Sequence, residues 1–339
     1  MSSPVQTQAD VNQNGAPHNG RTALIHIGLP KTGTTTIQRF LSMNADVLSK
    51  HGIHTQDAAD YAGWSSNAHA GAAIATLSRA EKLIPNPALR KRLNIKTLAD
   101  QARYAEEFES RFADFITQKG SGTFVVSGES MFNLLKSSDL IQNLDGFFAR
   151  YFSQRTYLIY LRDQSSWITS QYSQMITSGG TQPIEHIIAT AERTDQYAQI
   201  ALWDDCLPDA GFTLRLFEQD TLKDGDLLSD FCAVIGANID TLQRPENLNI
   251  SSSALELALF KFANRVHLNR AAHRMKRLLN MVIQPRARRR YRLPADHQDR
   301  VTRAFVKSNE KLRARYFPDR PTLFSFTHPV QPSATLHVN

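Results

Sequence analysis

Pro30-Lys31-Thr32-Gly33-Thr34-Thr35-Thr36 gathers one lysine, one glycine and four threonines into seven residues, the residue types that hold an anion. Lys31 supplies a full positive charge and the hydroxyls of Thr32, Thr34, Thr35 and Thr36 supply donors, while Gly33 lets the backbone come close to an oxyanion. Further along, Arg162 and Ser170 are separated by seven residues. A guanidinium is a forked, permanently charged donor suited to a terminal phosphate, and a serine hydroxyl completes the set. Glu129, in Ser127-Gly128-Glu129-Ser130, offers a carboxylate. His69, in the small-residue stretch 61–77 that also holds Trp64, offers an imidazole. Each is a candidate proton acceptor.

The flanking sequence says how such groups would be positioned. Residues 24–27 are mostly apolar, with β-branched Ile25 and Ile27, and read as a strand; Ile37, Phe40 and Leu41 have helical spacing. The loop therefore joins a strand to the N-terminus of a helix, where backbone N–H groups point outward and the helix dipole favours negative charge. Residues 123–127 read as a buried strand that emerges just before Glu129. Residues 155–161 read as another, running straight into Arg162, with Ser170 two turns into the helix that follows. Carboxyl ends of parallel strands are where open α/β sheets bind ligands. Glu129 is also placed to cap a helix starting near Ser130. With strands near 23–28, 123–127, 156–161 and 213–217, an amphipathic helix over 97–118 and a closing helix over 301–317, the expected fold is α/β, a three-layer arrangement of a mostly parallel sheet with helices on both faces.

The loop departs from the nucleoside-triphosphate loop, in which four residues separate the first glycine from Gly-Lys-Ser/Thr; here the lysine precedes the second glycine. The order Pro-Lys-Thr-Gly-Thr-Thr at 30–35, followed by Arg162 and Ser170, instead resembles the sulfotransferases that use 3'-phosphoadenosine 5'-phosphosulfate (PAPS). The likeness runs over about residues 23–317: Ser127-Gly128-Glu129 after a strand, a Tyr197…Trp203 helix, a strand ending in Phe217-Glu218, and a Leu227-Leu228-Ser229-Asp230-Phe231…Gly236 helix. The resemblance implies a P-loop-like nucleotide-binding fold in which residues 30–36 hold the donor's 5'-phosphate and Arg162 and Ser170 its 3'-phosphate. It implies that Lys31 stabilises the leaving phosphate and that Glu129 takes the acceptor proton, with His69 as the alternative base. The reaction would be sulfuryl transfer to a hydroxyl of a carbohydrate or lipid, with release of the bisphosphate product PAP and no metal. Two other readings stay open: a P-loop nucleotide kinase or NTPase, and a protein that binds a membrane or nucleic-acid surface.

The last reading comes from charge. Net charge is +7, yet residues 261–292 hold eleven of the 39 Lys and Arg and none of the 32 Asp and Glu, so outside this segment acidic residues outnumber basic ones. Residues 270–283 keep Ala271, Met275, Leu278, Leu279 and Val282 on one helical face and arginines on another, the pattern of a basic amphipathic helix. Five arginines follow within 286–292. Contact with an anionic partner or membrane surface is expected there, with no specific nucleic acid.

At 339 residues with 41% hydrophobic and 21% charged, composition is globular. One sulfotransferase domain is expected over 22–317, with a disordered tail at 1–21 and an extended tail at 318–339. No basic-then-apolar leader opens the sequence and no apolar window spans a bilayer. Cys206 and Cys232 lack metal-ligand spacing and suggest a reducing compartment, so the expected location is the cytoplasm, peripheral to a membrane if 261–292 docks. His51 and His54 have no third ligand beside them, and no metal site is expected.

Overall fold

Apolar, β-branched runs form five strands: β1 (Arg21–Gly28), β2 (Ile53–His54), β3 (Gly122–Ser127), β4 (Gln154–Leu161) and β5 (Gly211–Leu216). They pair in the order β2-β3-β1-β4-β5, all parallel, so the protein is an α/β fold on a five-stranded parallel sheet flanked by helices. The structure is a computed structural model that describes residues 20–56, 70–246, 253–266 and 290–325. The N-terminal tail through residue 19, the stretch with Trp64 and His69, the basic helix expected over 270–283, Arg286–Arg289 and the tail from 326 lie outside the described residues. The helices are α1 (Thr34–Met43), α2 (Ala45–Lys50), α3 (Ala70–Arg79), α4 (Pro87–Arg92), α5 (Leu98–Lys119), α6 (Glu129–Leu134), α7 (Ser138–Ala149), α8 (Gln164–Thr177), α9 (Ile184–Glu192), α10 (Gln196–Asp205), α11 (Leu227–Ile235), α12 (Ala254–Arg265) and α13 (Ala295–Tyr316). Among the described residues no helix is long and apolar enough to cross a membrane.

These elements form two compact units. The first comprises residues 20–161 and 198–246, and the second 162–197 with 253–325. In the first, alternate strand residues face opposite sides. Leu24, Val125, Leu158 and Tyr160 form one core with Ile37, Phe40 and Leu41 of α1 and Leu228, Phe231 and Cys232 of α11. On the other face Phe124 meets Phe115 of α5 edge to face, and Tyr157 lies beside the fully buried Trp203 of α10. Trp203 and Phe231, both part of the family likeness, are fully buried core residues.

Each face is also tied by a buried polar group. Tyr157 Oη donates to Asp145 of α7 at 3.0 Å, and the same carboxylate receives Arg155 at 2.8 and 3.0 Å. On the opposite face Tyr160 Oη donates to Asp230 of α11 at 2.8 Å, with Arg215 of β5 paired to both carboxylate oxygens and the Lys223 N–H at 3.0 Å. Four donors fill the lone pairs of a carboxylate with no solvent exposure, which is what a buried charge requires. Burial pushes its pKa up, but the hydrogen bonds from Arg215, Lys223 and Tyr160 outweigh it and leave the pKa below the usual carboxylate range.

The second unit has its own core, in which Ile168, Tyr172 and Ile176 of α8 pack with Ile184 and Ile188 of α9, Leu257 and Phe260 of α12, and Val301 and Phe305 of α13. Buried amides fasten it: Gln164 bonds Gln196 and Asn309, and Asn264 donates to the carbonyls of Ile176 and Gly180, both at 2.8 Å.

Asp230→Ala removes one partner of a buried ion pair and strands Arg215, so denaturant unfolding should show a loss of about 3–5 kcal/mol. Because the folded pKa of Asp230 is depressed, its contribution is present at neutral pH in the wild type and is lost as pH falls through that pKa.

Candidate functional site

The loop after β1 is built by backbone conformation as much as by side chains. Lys31 has φ 69° and Gly33 φ 86°, two left-handed residues on either side of Thr32, and Gly33 is the N-cap of α1. It carries no side-chain cap and α1 has no acidic residue in its first turn, so the positive end of the dipole is left without a local carboxylate. Gly33 is favoured by its φ, which few side chains tolerate; a Cβ there would lie 2.3 Å from Leu227 Cδ2, the end of a flexible side chain that would have to move aside.

The four threonines divide. Thr32 is fully buried and donates to the Leu29 carbonyl at 2.6 Å; Thr34, also buried, donates to the same carbonyl at 3.2 Å. A hydroxyl has one proton to give, so these two shape the loop. Thr35 is exposed, and Pro30, Lys31 and Thr36 are half-buried. The Thr36 and Ile37 N–H groups both reach the Gly33 carbonyl, at 2.8 and 3.0 Å.

Glu129 opens α6 directly after β3, with Gly128 as N-cap. Since β3 lies beside β1 and parallel to it, both loops leave the same edge of the sheet. A Cβ on Gly28 would sit 3.6 Å from Glu129 Cα, which shows how closely the start of α6 packs on the end of β1. Burial pushes the Glu129 carboxyl above its ordinary pKa, and the charge of Lys31 pulls it back down. The structure therefore brings Lys31 and Glu129 into electrostatic contact, one cation at a helix N-terminus and one carboxyl whose burial favours its protonated form.

Sequence reasoning passed over what locks this edge. His26, fully buried on β1, has Nδ1 2.9 Å from Ser127 Oγ on β3, and Gln38 of α1 donates through Nε2 to the Ser127 carbonyl at 3.2 Å. The Gly128 N–H reaches the His26 carbonyl at 2.9 Å. Burial lowers the His26 pKa to about 4, against a backbone hydrogen bond with Gly28, so the ring is neutral at physiological pH. The available signal was a lone histidine inside an apolar strand.

In the second unit, Arg162 follows the last residue of β4, and Ser170 lies half-buried on α8. Asp163 caps α8, accepting from the Ser166 N–H at 2.8 Å. Burial lowers the Arg162 pKa and the charge of Asp163 raises it. His69, the alternative base, lies outside the described residues. Among those described, no three His, Cys, Asp or Glu are grouped to hold a metal ion. The His54 ring is engaged by Ser49 Oγ and the Ser121 carbonyl at 3.1 and 3.0 Å, a structural tie.

Over 200 residues, 57% of this chain, the sequence is 23% identical to an uncharacterized protein of Archaeoglobus fulgidus. The matched region spans about half of that relative, 53% of its length. No family model and no solved structure matches.

Gly33→Ala should lower stability by about 1–3 kcal/mol, the cost of holding a non-glycine residue in a sparsely populated conformation. Thermal melting of the variant against Gly52→Ala, where the positive φ is the same kind but no atom lies within 4 Å of the added Cβ, separates the Leu227 contact from backbone strain.

Proposed function

We propose that the chain is an enzyme, a sulfotransferase that moves the sulfuryl group of PAPS to a hydroxyl of a carbohydrate or lipid acceptor and releases PAP. The observation that supports it most is the pairing of Lys31, on a loop at an uncapped helix N-terminus, with a carboxyl whose pKa is raised by burial, both at the carboxyl edge of one parallel sheet. An anion holder beside a proton acceptor is what group transfer from a phosphate-linked donor to a hydroxyl needs.

In this reading the acceptor oxygen attacks sulfur in line while the bond from sulfur to the 5'-phosphate oxygen breaks. Positioning and charge stabilisation do most of the work, as in phosphoryl transfer. Glu129 takes the hydroxyl proton. Lys31 and the loop amides stabilise the charge that builds on the departing phosphate. Arg162 and Ser170 take the 3'-phosphate, the group that separates this donor from ATP. His69 is the second candidate for the base. Both cysteines are buried and unpaired, in keeping with a reducing, cytoplasmic compartment.

Turnover of PAPS with a panel of hydroxylated acceptors tests the reading. Lys31→Ala should reduce kcat by about 10²–10³-fold, by analogy with loss of one oxyanion donor, and unchanged activity in that variant would overturn the donor assignment. The acid limb of the rate profile should lie above the ordinary glutamate range, since activity requires ionised Glu129 and burial raises its pKa. Glu129→Gln should remove both that limb and most of the rate; a fully active Glu129→Gln enzyme would pass the role to His69 or water. Turnover of ATP with Mg²⁺ in place of PAPS would favour the kinase reading.

A further inference from the structure

We infer that α12 is a docking surface for an anionic lipid membrane. One face of this helix is spent on the core: Leu257, Phe260 and Ala263 are buried, as is Asn264. The opposite face carries Leu255, Phe262 and the C-cap Val266, exposed by 60, 65 and 44%. They are spaced i, i+7 and i+11, so they form one stripe along the helix, with Leu259 half-buried and Ala258 exposed beside it. Large apolar side chains aligned on one exposed face, rather than scattered singly, are the pattern of a contact surface.

The charges beside the stripe say what kind. Lys261 and Arg265 are exposed on its flank, Lys261 with Nζ 5.9 Å from the Tyr172 ring centre. The only acidic residue of α12, Glu256, is buried and turned to the capping box, where it accepts from the Ser253 N–H at 2.9 Å while Ser253 Oγ accepts from its own N–H. The solvent face of α12 thus presents apolar and basic groups and no carboxylate. The backbone of Arg290 bridges to Ser253, which sets an exposed arginine at the N-terminal end of the helix, and the sequence from 261 to 292 supplies eleven basic residues and no acidic one.

An apolar stripe edged by cations fits acyl chains below anionic headgroups, with lysine and arginine stems reaching up to the phosphates. A nucleic acid would use the charges and stack a base on Phe262, but has no role for Leu255 and Val266. A second copy of the same face would bring like charges together. The inference is independent of the donor chemistry, and its test needs no nucleotide or acceptor.

The full chain should co-sediment with phosphatidylglycerol–phosphatidylcholine vesicles and not with phosphatidylcholine alone, with binding that falls as salt rises. Phe262→Asp should weaken partitioning by roughly tenfold or more, because an aromatic is removed from the interface and a repelled charge put in its place. Leu255→Asp, tested in parallel, should do the same, and Phe262→Trp should keep binding. Each variant changes an exposed position, so an unchanged melting temperature is expected and serves as the control. Lys261→Gln with Arg265→Gln should weaken binding and flatten its salt dependence. Equal binding to neutral vesicles, or vesicle binding indifferent to both aspartate variants, would overturn the inference. Tight binding to an oligonucleotide that Leu255→Asp leaves intact, without vesicle binding, would assign the basic segment to nucleic acid instead.

Discussion

The parallel pairing of β1 with β3 is the constraint on which the candidate site depends. Parallel strands end on the same edge, so the loop after β1 and the helix after β3 must emerge together, and the register His26 opposite Ser127 sets how far each chain runs before it turns. That register is held on the side-chain level as well. The imidazole of His26 meets the Ser127 hydroxyl, Gln38 reaches the Ser127 carbonyl from α1, and the Gly128 N–H returns to the His26 carbonyl. Four segments, β1, β3, α1 and the entry to α6, are thereby fixed to one another through a few atoms. Lys31 and Glu129 each lie within a few residues of that knot, which is why two side chains on separate loops can influence each other's protonation.

Further out, β4 repeats one device on both sides of the sheet. Its two tyrosines, three positions apart and so on opposite faces, each meet an aspartate that is neutralised by an arginine, Asp145 with Arg155 and Asp230 with Arg215. Apolar packing alone lets a helix slide along a sheet at small cost, whereas a buried carboxylate tolerates few positions. The two arrangements therefore set where α7 and α11 lie. The second unit uses neutral amides for the same purpose, with Gln164, Asn309 and Asn264 as its fixed points.

Much of this was legible in the residues, and the reasons are local. Strands at 23–28, 123–127, 156–161 and 213–217 stand within two residues of the observed ones, because buried parallel strands are written as short apolar runs between turn residues. The strand-to-helix loop before α1 followed from the apolar run and the helical spacing on either side of it, and the position of Glu129 at a strand's end from the strand before it; the left-handed φ of Lys31 had no such signal. What was not legible depends on partners distant in sequence. The His26–Ser127 and Tyr160–Asp230 contacts join residues 101 and 70 positions apart, and no spacing rule announces them. The short β2 is absent from the expected strands, since two residues give no period. The hydrogen bonds of Thr32 and Thr34 were not legible either: a threonine beside a glycine reads as a donor to a ligand, and the Leu29 carbonyl that both hydroxyls serve has no signature in the sequence. The division into two units also has no marker, because residues 162–197 leave the first unit and the chain re-enters it without a linker-like stretch.

The contact between Gly33 and Leu227 bears on how such a loop changes over descent. The glycine is held by its own backbone angle and by α11, and Thr32 and Thr34 by a carbonyl of the loop. All three answer to folding whether or not an anion is ever bound. A related sequence that kept Thr32, Gly33 and Thr34 would keep them for the shape of the loop, with or without a ligand. A preserved Thr-Gly-Thr therefore reports the conformation of the turn and is silent on what the turn binds.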